Sequence, residues 1–132
     1  MEKIKIGIDI DNTINVNAQT IGLFSFLTNC LKYKAEIHII TSRDDSEDSR
    51  QETIAELEEY NIYYDALVIT DNKHDYIMDN DITVFVDDTD EVFQKLPKSV
   101  IVFKLREPGN FNFDQHKWVY GNKTGINIDD RK

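Results

Sequence analysis

Short β-branched runs, each followed by a polar or helical stretch, constrain this chain more than any other feature. Lys3 to Ile10 alternates and then runs apolar through Ile4, Ile6, Ile8 and Ile10. Ile37–Ile40, Ala66–Ile69, Thr83–Val86 and Ser99–Phe103 repeat the theme. β-Branched enrichment over so few residues reads as strand. Between these runs, Ala18–Tyr33 spaces Ile21, Phe24, Leu27 and Leu31 as one helix face. Ser46–Tyr60 does the same with Ile54, Leu57 and Tyr60. Glu47 and Asp48 in its first turn suit the positive end of the helix dipole, and Ser49 with Glu52 offers a capping pair. A helical turn around Asp75–Met78 and a helix over Glu91–Leu96 complete the pattern. Strands alternating with helices predict a parallel sheet covered on both faces, an α/β domain.

Residues 1–132 read as one domain, with a core over 3–103. That length can bury a core without disulfides or a structural metal. Glu107-Pro108-Gly109-Asn110 is a turn signal. It opens an aromatic tail over 104–120, carrying Phe111, Phe113, Trp118, Val119 and Tyr120. The tail is expected as an edge strand or as a cover over one end of the sheet, with packing its first role. Residues 121–132 are polar and expected to fray.

The net charge is −10, which disfavours long nucleic acid and anionic membranes as partners, because counterion release needs basic groups. It suits a soluble chain that holds a divalent cation. The single cysteine, Cys30, excludes an intrachain disulfide and is expected to pack in the core. His38, His74 and His116 show no ligand spacing. No apolar run is long enough to cross a membrane, and the first residues lack a signal-peptide core. Both absences make the cytoplasm the default expectation.

Ligands of open α/β sheets bind beyond the carboxyl ends of the strands. The first run ends in Asp9-Ile10-Asp11-Asn12-Thr13 and the second in Thr41-Ser42-Arg43. Lys73 follows the third, and Asp87-Asp88 ends the fourth. Each motif alone has an ordinary explanation as a turn former, a solvated lysine or a helix cap. Their joint placement at one sheet edge is what points to chemistry.

In order and identity these residues resemble the haloacid dehalogenase superfamily over about residues 3–103. The matching motifs are D-x-D-x-T (Asp9, Asp11, Thr13), a Thr after the second strand (Thr41), a lysine (Lys73) and an acidic pair (Asp87-Asp88). The resemblance implies a Rossmann-like three-layer sandwich with a five-stranded parallel sheet in order 54123. It also implies a Mg2+-dependent phosphatase. Asp9 would be the nucleophile that forms an aspartyl-phosphate, Asp11 the general acid and base, and Lys73 the charge stabiliser. Thr41, Ser42, Asn12 and, as a further candidate, Arg43 would bind phosphate. Mg2+ would sit on Asp9, Asp88 and the Asp11 backbone carbonyl, with Asp87 orienting Asp88 or Lys73. Physically, an ordinary Asp is ionised at neutral pH and can attack phosphorus, but carboxylate and phosphate repel each other and need cations between them. The Asp two residues after the nucleophile favours phosphoester hydrolysis over dehalogenation or ion pumping.

From Thr13 to Thr41 there is room for one helix and a turn, and from Thr41 to Lys73 for one helix and one strand. No cap domain fits, so the site is expected to be open, and a homodimer could supply closure. A small phosphorylated substrate is the expected partner. The stretch from Thr41 to Leu67 is also similar to nucleotidase-like members, through T-x-R, Thr53 and Asp65. Polynucleotide 3′-phosphatases share the capless core and a similar S/T-x-R, which makes that activity the alternative. Two other classes use like residues. A signalling receiver would place its acidic pair first and its phosphorylated Asp third, the reverse of the order here. An idle phosphate-binding domain would be expected to have lost one of Asp9, Asp11, Lys73 or Asp88.

Overall fold

The structure is a computed structural model, and it describes residues 2–119. Strand β1 (Ile4–Ile8) leads into a wide turn over Ile10–Ile14, then α1 (Ala18–Leu31) and β2 (Ala35–Thr41). Next come α2 (Glu47–Glu59), β3 (Ala66–Ile69), α3 (Lys73–Asp79), β4 (Val84–Asp87), α4 (Asp90–Phe93) and β5 (Ile101–Lys104). All four strand pairings in the sheet are parallel, and the order is β3-β2-β1-β4-β5. Read from the other edge, this is the expected 54123. No cap domain interrupts the described residues.

Parallel strands buried on both faces need apolar residues at successive positions, and β2 shows why the runs are β-branched. Ile37 and Ile39 face one core with Ile8, Phe24 and Leu57, beneath α1 and α2. Ile40 faces the other, with Ile77, Ile82 and Phe85, beneath α3 and α4. Gly7 sits on this second face. A Cβ there would lie 2.8 Å from Ile40 Cδ1 and 3.0 Å from Phe85 Cδ1, so glycine is what lets these side chains close over β1.

Helices α2 and α3 end the same way. Asn61 and Asp81 adopt positive φ (56° and 55°), and the next residue, Ile62 or Ile82, is buried. The Ile62 N–H donates to the Leu57 carbonyl and the Ile82 N–H to the Ile77 carbonyl, both at 3.0 Å. A left-handed residue followed by a buried apolar one locks the helix end.

Several local expectations change. β1 stops at Ile8 rather than Ile10, because Ile10 opens the wide turn. The N-cap of α2 is Ser46, whose hydroxyl accepts from the Ser49 N–H at 3.1 Å, so Ser49 and Glu52 form no capping pair. Thr53 and Leu57 are the buried positions of α2, with Ile54 and Tyr60 only half-buried. Thr28 replaces Leu31 in the buried stripe of α1. Cys30 is exposed, not core, because it lies on the outer side of that stripe.

The aromatic tail does not extend the main sheet as an edge strand; it packs beside the end of β5. β6 (Phe111–Asn112) and β7 (Lys117–Trp118) form a separate antiparallel pair. Phe111 and Trp118 are buried against each other, with ring centroids 4.7 Å apart. Lys104 and Arg106 stack on them, the Lys104 ammonium 3.6 Å from the Trp118 centroid. Tyr120 and the stretch expected to fray, 121–132, lie outside the described residues.

Replacing Gly7 with alanine is expected to cost about 1–3 kcal/mol through overpacking. Equilibrium urea unfolding reads this directly, and an unchanged midpoint would contradict the packing described.

Candidate active site

The four strand-end motifs meet. Asp9 continues β1 through a hydrogen bond from its N–H to the Val86 carbonyl (2.9 Å), which sets it beside the end of β4. The chain then turns sharply, with Asp11 extended and Asn12 at φ 60°, and the Asn15 N–H closes the turn on the Ile10 carbonyl at 3.3 Å. Asparagine tolerates this left-handed geometry better than most residues. Its consequence is that Ile10 and Ile14 point into the core while Asp9 and Asp11 stay at the sheet edge.

Asp9, Asp87 and Asp88 are all buried, and each offers a carboxylate oxygen within 4.8 Å of the others. Lys73, the first residue of α3 and itself buried, donates to Asp9 Oδ1 (2.8 Å) and Asp87 Oδ2 (3.0 Å). The Thr13 hydroxyl lies 3.3 Å from Asp9 Oδ2 and 3.4 Å from Asp88 Oδ1. A hydroxyl has one proton, so it serves only one of them at a time. Asp87 Oδ1 accepts the N–H groups of Asp88 (2.6 Å) and Thr89 (3.2 Å). Both Asp87 oxygens are thus engaged by protein donors. Asp87 is the most fully engaged of the three, and the three carboxylates together form an oxygen cluster that could hold a cation.

The electrostatics agree. Burial, then the Asp87 charge, pushes Asp9 up from 3.8 to about 7, although Lys73 opposes the shift. Asp88 rises to about 8, through burial and then its contacts with Asp87 and Asp9. Burial would lower Lys73, but the charges of Asp9 and Asp87 outweigh it and raise the lysine. The donor set is all oxygen, which suits a hard cation such as Mg2+.

A polar cleft of about 320 Å3 opens over these groups, lined also by Asp11, Asn12, Thr41, Ser42 and Arg43. Thr41 is buried at its floor, and its hydroxyl accepts the Arg43 N–H at 3.3 Å. Ser42 is exposed at the rim. The Asn12 N–H is occupied by the Asn15 side chain at 2.9 Å.

Arg43 is not a solvated loop residue: it lines the cleft with most of its donors engaged by protein groups. Its guanidinium grips Asp11 with two bonds, of 2.9 and 2.8 Å, and reaches back to Glu56 at 2.6 Å. The hydrogen bond from Arg43 holds Asp11 below the usual carboxylate range, and it does the same to Glu56. Glu56 and Asn15 were not legible as site residues. The only signal was a polar pair, Thr53 and Glu56, three residues apart on the helix that follows T-x-R. Asp65 is not at the site. It accepts from the Ile37 N–H (2.8 Å) and the Tyr63 hydroxyl (2.8 Å), near the start of β2. Asp44, Asp45 and Asp71 line an adjoining polar cleft of about 580 Å3, which shares Ser42 and Arg43 with the first. An apolar groove of about 340 Å3 lies elsewhere, between α1 and the β4–β5 side of the sheet, and offers no comparable group of polar side chains. Among the described residues, none of the tail aromatics lines the polar clefts.

No family model matches the chain, and no curated protein does either. Among solved structures, a chain of the Pnkp1/Rnl/Hen1 complex shares the fold, with a TM-score of 0.60 at 16% identity. The match covers 80% of this chain and 47% of that one, so this chain spans about half its length. Among the described residues, no helix is long and apolar enough to cross a membrane.

The raised carboxyls give a signed pH dependence. Asp9 and Asp88 bind protons more tightly folded than unfolded, so their contribution to stability is complete below about pH 4 and is lost as pH rises through 7 to 8. Asp11 and Glu56, both lowered, act in the opposite sense and lose theirs in acid. Metal-free protein is therefore expected to melt lower at pH 8 than at pH 5.5. Mg2+ should raise the melting temperature at pH 8 and do little at pH 5.5. Differential scanning calorimetry checks both, and a Mg2+ effect equal at the two pH values would contradict the assignment.

Proposed function

We propose that this chain is a Mg2+-dependent phosphomonoester hydrolase of the haloacid dehalogenase type, acting through Asp9 on a small phosphorylated substrate. The observation that carries the reading is convergence: residues 9, 73, 87 and 88, distant in sequence, meet within hydrogen-bonding or ion-bridging reach. A bound Mg2+, held by Asp9, Asp88 and the Asp11 carbonyl, would neutralise these carboxylates and draw charge from the phosphoryl oxygens.

Lys73 holds one oxygen of Asp9, leaving the other to attack phosphorus along the open cleft. The P–O bond to the leaving group breaks as the Asp9–P bond forms, and Asp11 gives a proton to the departing oxygen. Arg43 favours ionised Asp11 in the resting site, so the proton enters with the substrate monoanion, whose second pKa is about 6. Asp11 then takes a proton from water, which attacks phosphorus and releases Asp9 and inorganic phosphate. Thr41 and Lys73 hold the phosphoryl oxygens through both steps.

Asp44, Asp45 and Asp71 beside the cleft disfavour a polyanionic leaving group, which argues for a metabolite over a nucleic acid. The shared fold with a chain of the Pnkp1/Rnl/Hen1 complex keeps a terminal phosphate on a polynucleotide as the second reading.

Phosphate release from a panel of sugar, alkyl and aryl phosphates, nucleotides and 3′-phosphorylated oligonucleotides tests the reading. Turnover should appear on at least one monoester with Mg2+ and vanish with EDTA. Asp9→Asn should lower kcat by about a thousandfold or more. Full activity in Asp9→Asn would remove the nucleophile, and the best substrate of the panel separates the two readings.

A further inference from the structure

We infer that Arg43, Glu56 and Thr53 form a relay that positions Asp11, so that helix α2 sets the aim of the proton-transferring carboxyl. This rests on the hydrolase reading and adds to it a set of positioning residues.

The geometry runs in one direction. Asp11 lies in the wide turn with its side chain half exposed, and its carboxylate would be free to rotate unless something held it. Arg43 Nε and Nη2 take one Asp11 oxygen each, at 2.9 and 2.8 Å. A planar guanidinium bonded to both oxygens fixes the plane of the carboxylate as well as its position. Asn15 Nδ2 adds a third donor, at 3.1 Å from Asp11 Oδ1.

Arg43 is held in its turn. It sits between exposed Ser42 and exposed Asp44, so its own loop gives it little support. The support comes from α2. Glu56 Oε2 accepts from Arg43 Nη1 at 2.6 Å, and Thr53 Oγ1 accepts from the same nitrogen at 3.2 Å. The Thr53 hydroxyl proton is committed to the Ser49 carbonyl at 2.8 Å, which turns its lone pair toward Arg43. Thr53 is 1% exposed, so this contact is screened from water. A functional side chain braced by a rigid helix keeps its geometry better than one braced by a loop.

The relay also reassigns Arg43. A guanidinium has five N–H donors. The four Arg43 bonds to Asp11, Thr53 and Glu56 leave it one to offer a phosphate. With most of its donors so engaged, Arg43 acts on catalysis chiefly through Asp11, and at most one N–H is left for a phosphate beside Thr41 and Lys73.

Positioning a proton donor matters only where the leaving oxygen needs a proton, and this gives the test. From a dinitrophenyl phosphate the dinitrophenolate departs as a stable anion; from glycerol phosphate the departing alkoxide needs a proton. Steady-state kinetics on both substrates, with Mg2+, compare wild type, Arg43→Lys and Glu56→Gln. Arg43→Lys keeps the charge and loses the fork. It is expected to lose about tenfold to a hundredfold in kcat on glycerol phosphate, with less than about twofold on the aryl ester and KM unchanged on both. Glu56→Gln should show the same pattern with a smaller loss. Should Arg43→Lys fail to fold by circular dichroism, Glu56→Gln and Thr53→Val carry the same comparison. Equal losses on the two substrates, or a raised KM with kcat intact, would overturn the inference while leaving the hydrolase reading standing. Wild-type protein that releases phosphate from neither ester, nor from any compound of the wider panel, would sink both.

Discussion

Three buried carboxylates facing one lysine are the constraint on which the rest of this structure depends. If Asp9, Asp87 and Asp88 were all ionised, Lys73 could balance only one of them. A protein interior does not hold such an excess without protons, a cation or both. The raised Asp9 and Asp88 carboxyls are the first of these answers, and an oxygen-lined space fit for a divalent ion is the second. Residues chosen only for stability would not be arranged this way. Such local conflict amid a sequence otherwise consistent with its fold is where function is to be sought.

The sheet makes the conflict tolerable. β1 and β4 are neighbours and parallel, so their last residues, followed by Asp9 and ending in Asp87, emerge side by side. Ile8 and Ile10 on one side, and Phe85 on the other, anchor the backbone directly beneath the charges. Gly7 contributes by absence, since the close approach of Ile40 and Phe85 over β1 leaves no room for a side chain. The polar cluster thus stands on some of the most completely buried apolar residues in the molecule.

Much of this was legible in the sequence, because strand periodicity and strand-end chemistry are local signals. The β-branched runs located all five strands of the main sheet, and the polar residues that follow them located the cluster. Interactions between an element and a distant loop were not legible. Glu56 reads as one more acid on a helix rich in them, and only the fold shows that it backs Arg43. Arg43 itself reads as a phosphate ligand by type, yet its donors are drawn to Asp11 and α2. Cys30 and Leu31 show the limit of helical periodicity: a rotation of the stripe by part of a turn puts Thr28 inside and both of them toward solvent. The tail was undetermined for a different reason. Its aromatic rings pack on each other and on Lys104 and Arg106, and a pattern of hydrophobic residues does not say which partner they choose.

The matched endings of α2 and α3 have a consequence for the opposite edge of the molecule. Each helix begins beside the cleft and is pinned at its far tip by one isoleucine, Ile62 or Ile82. A helix turns by about 100° per residue, so a register slip of a single position at either pin would swing Lys73 or Glu56 to a different face. The placement of the polar cluster is in effect gauged from the rear, and a lesion there would disturb the cleft without touching any group inside it.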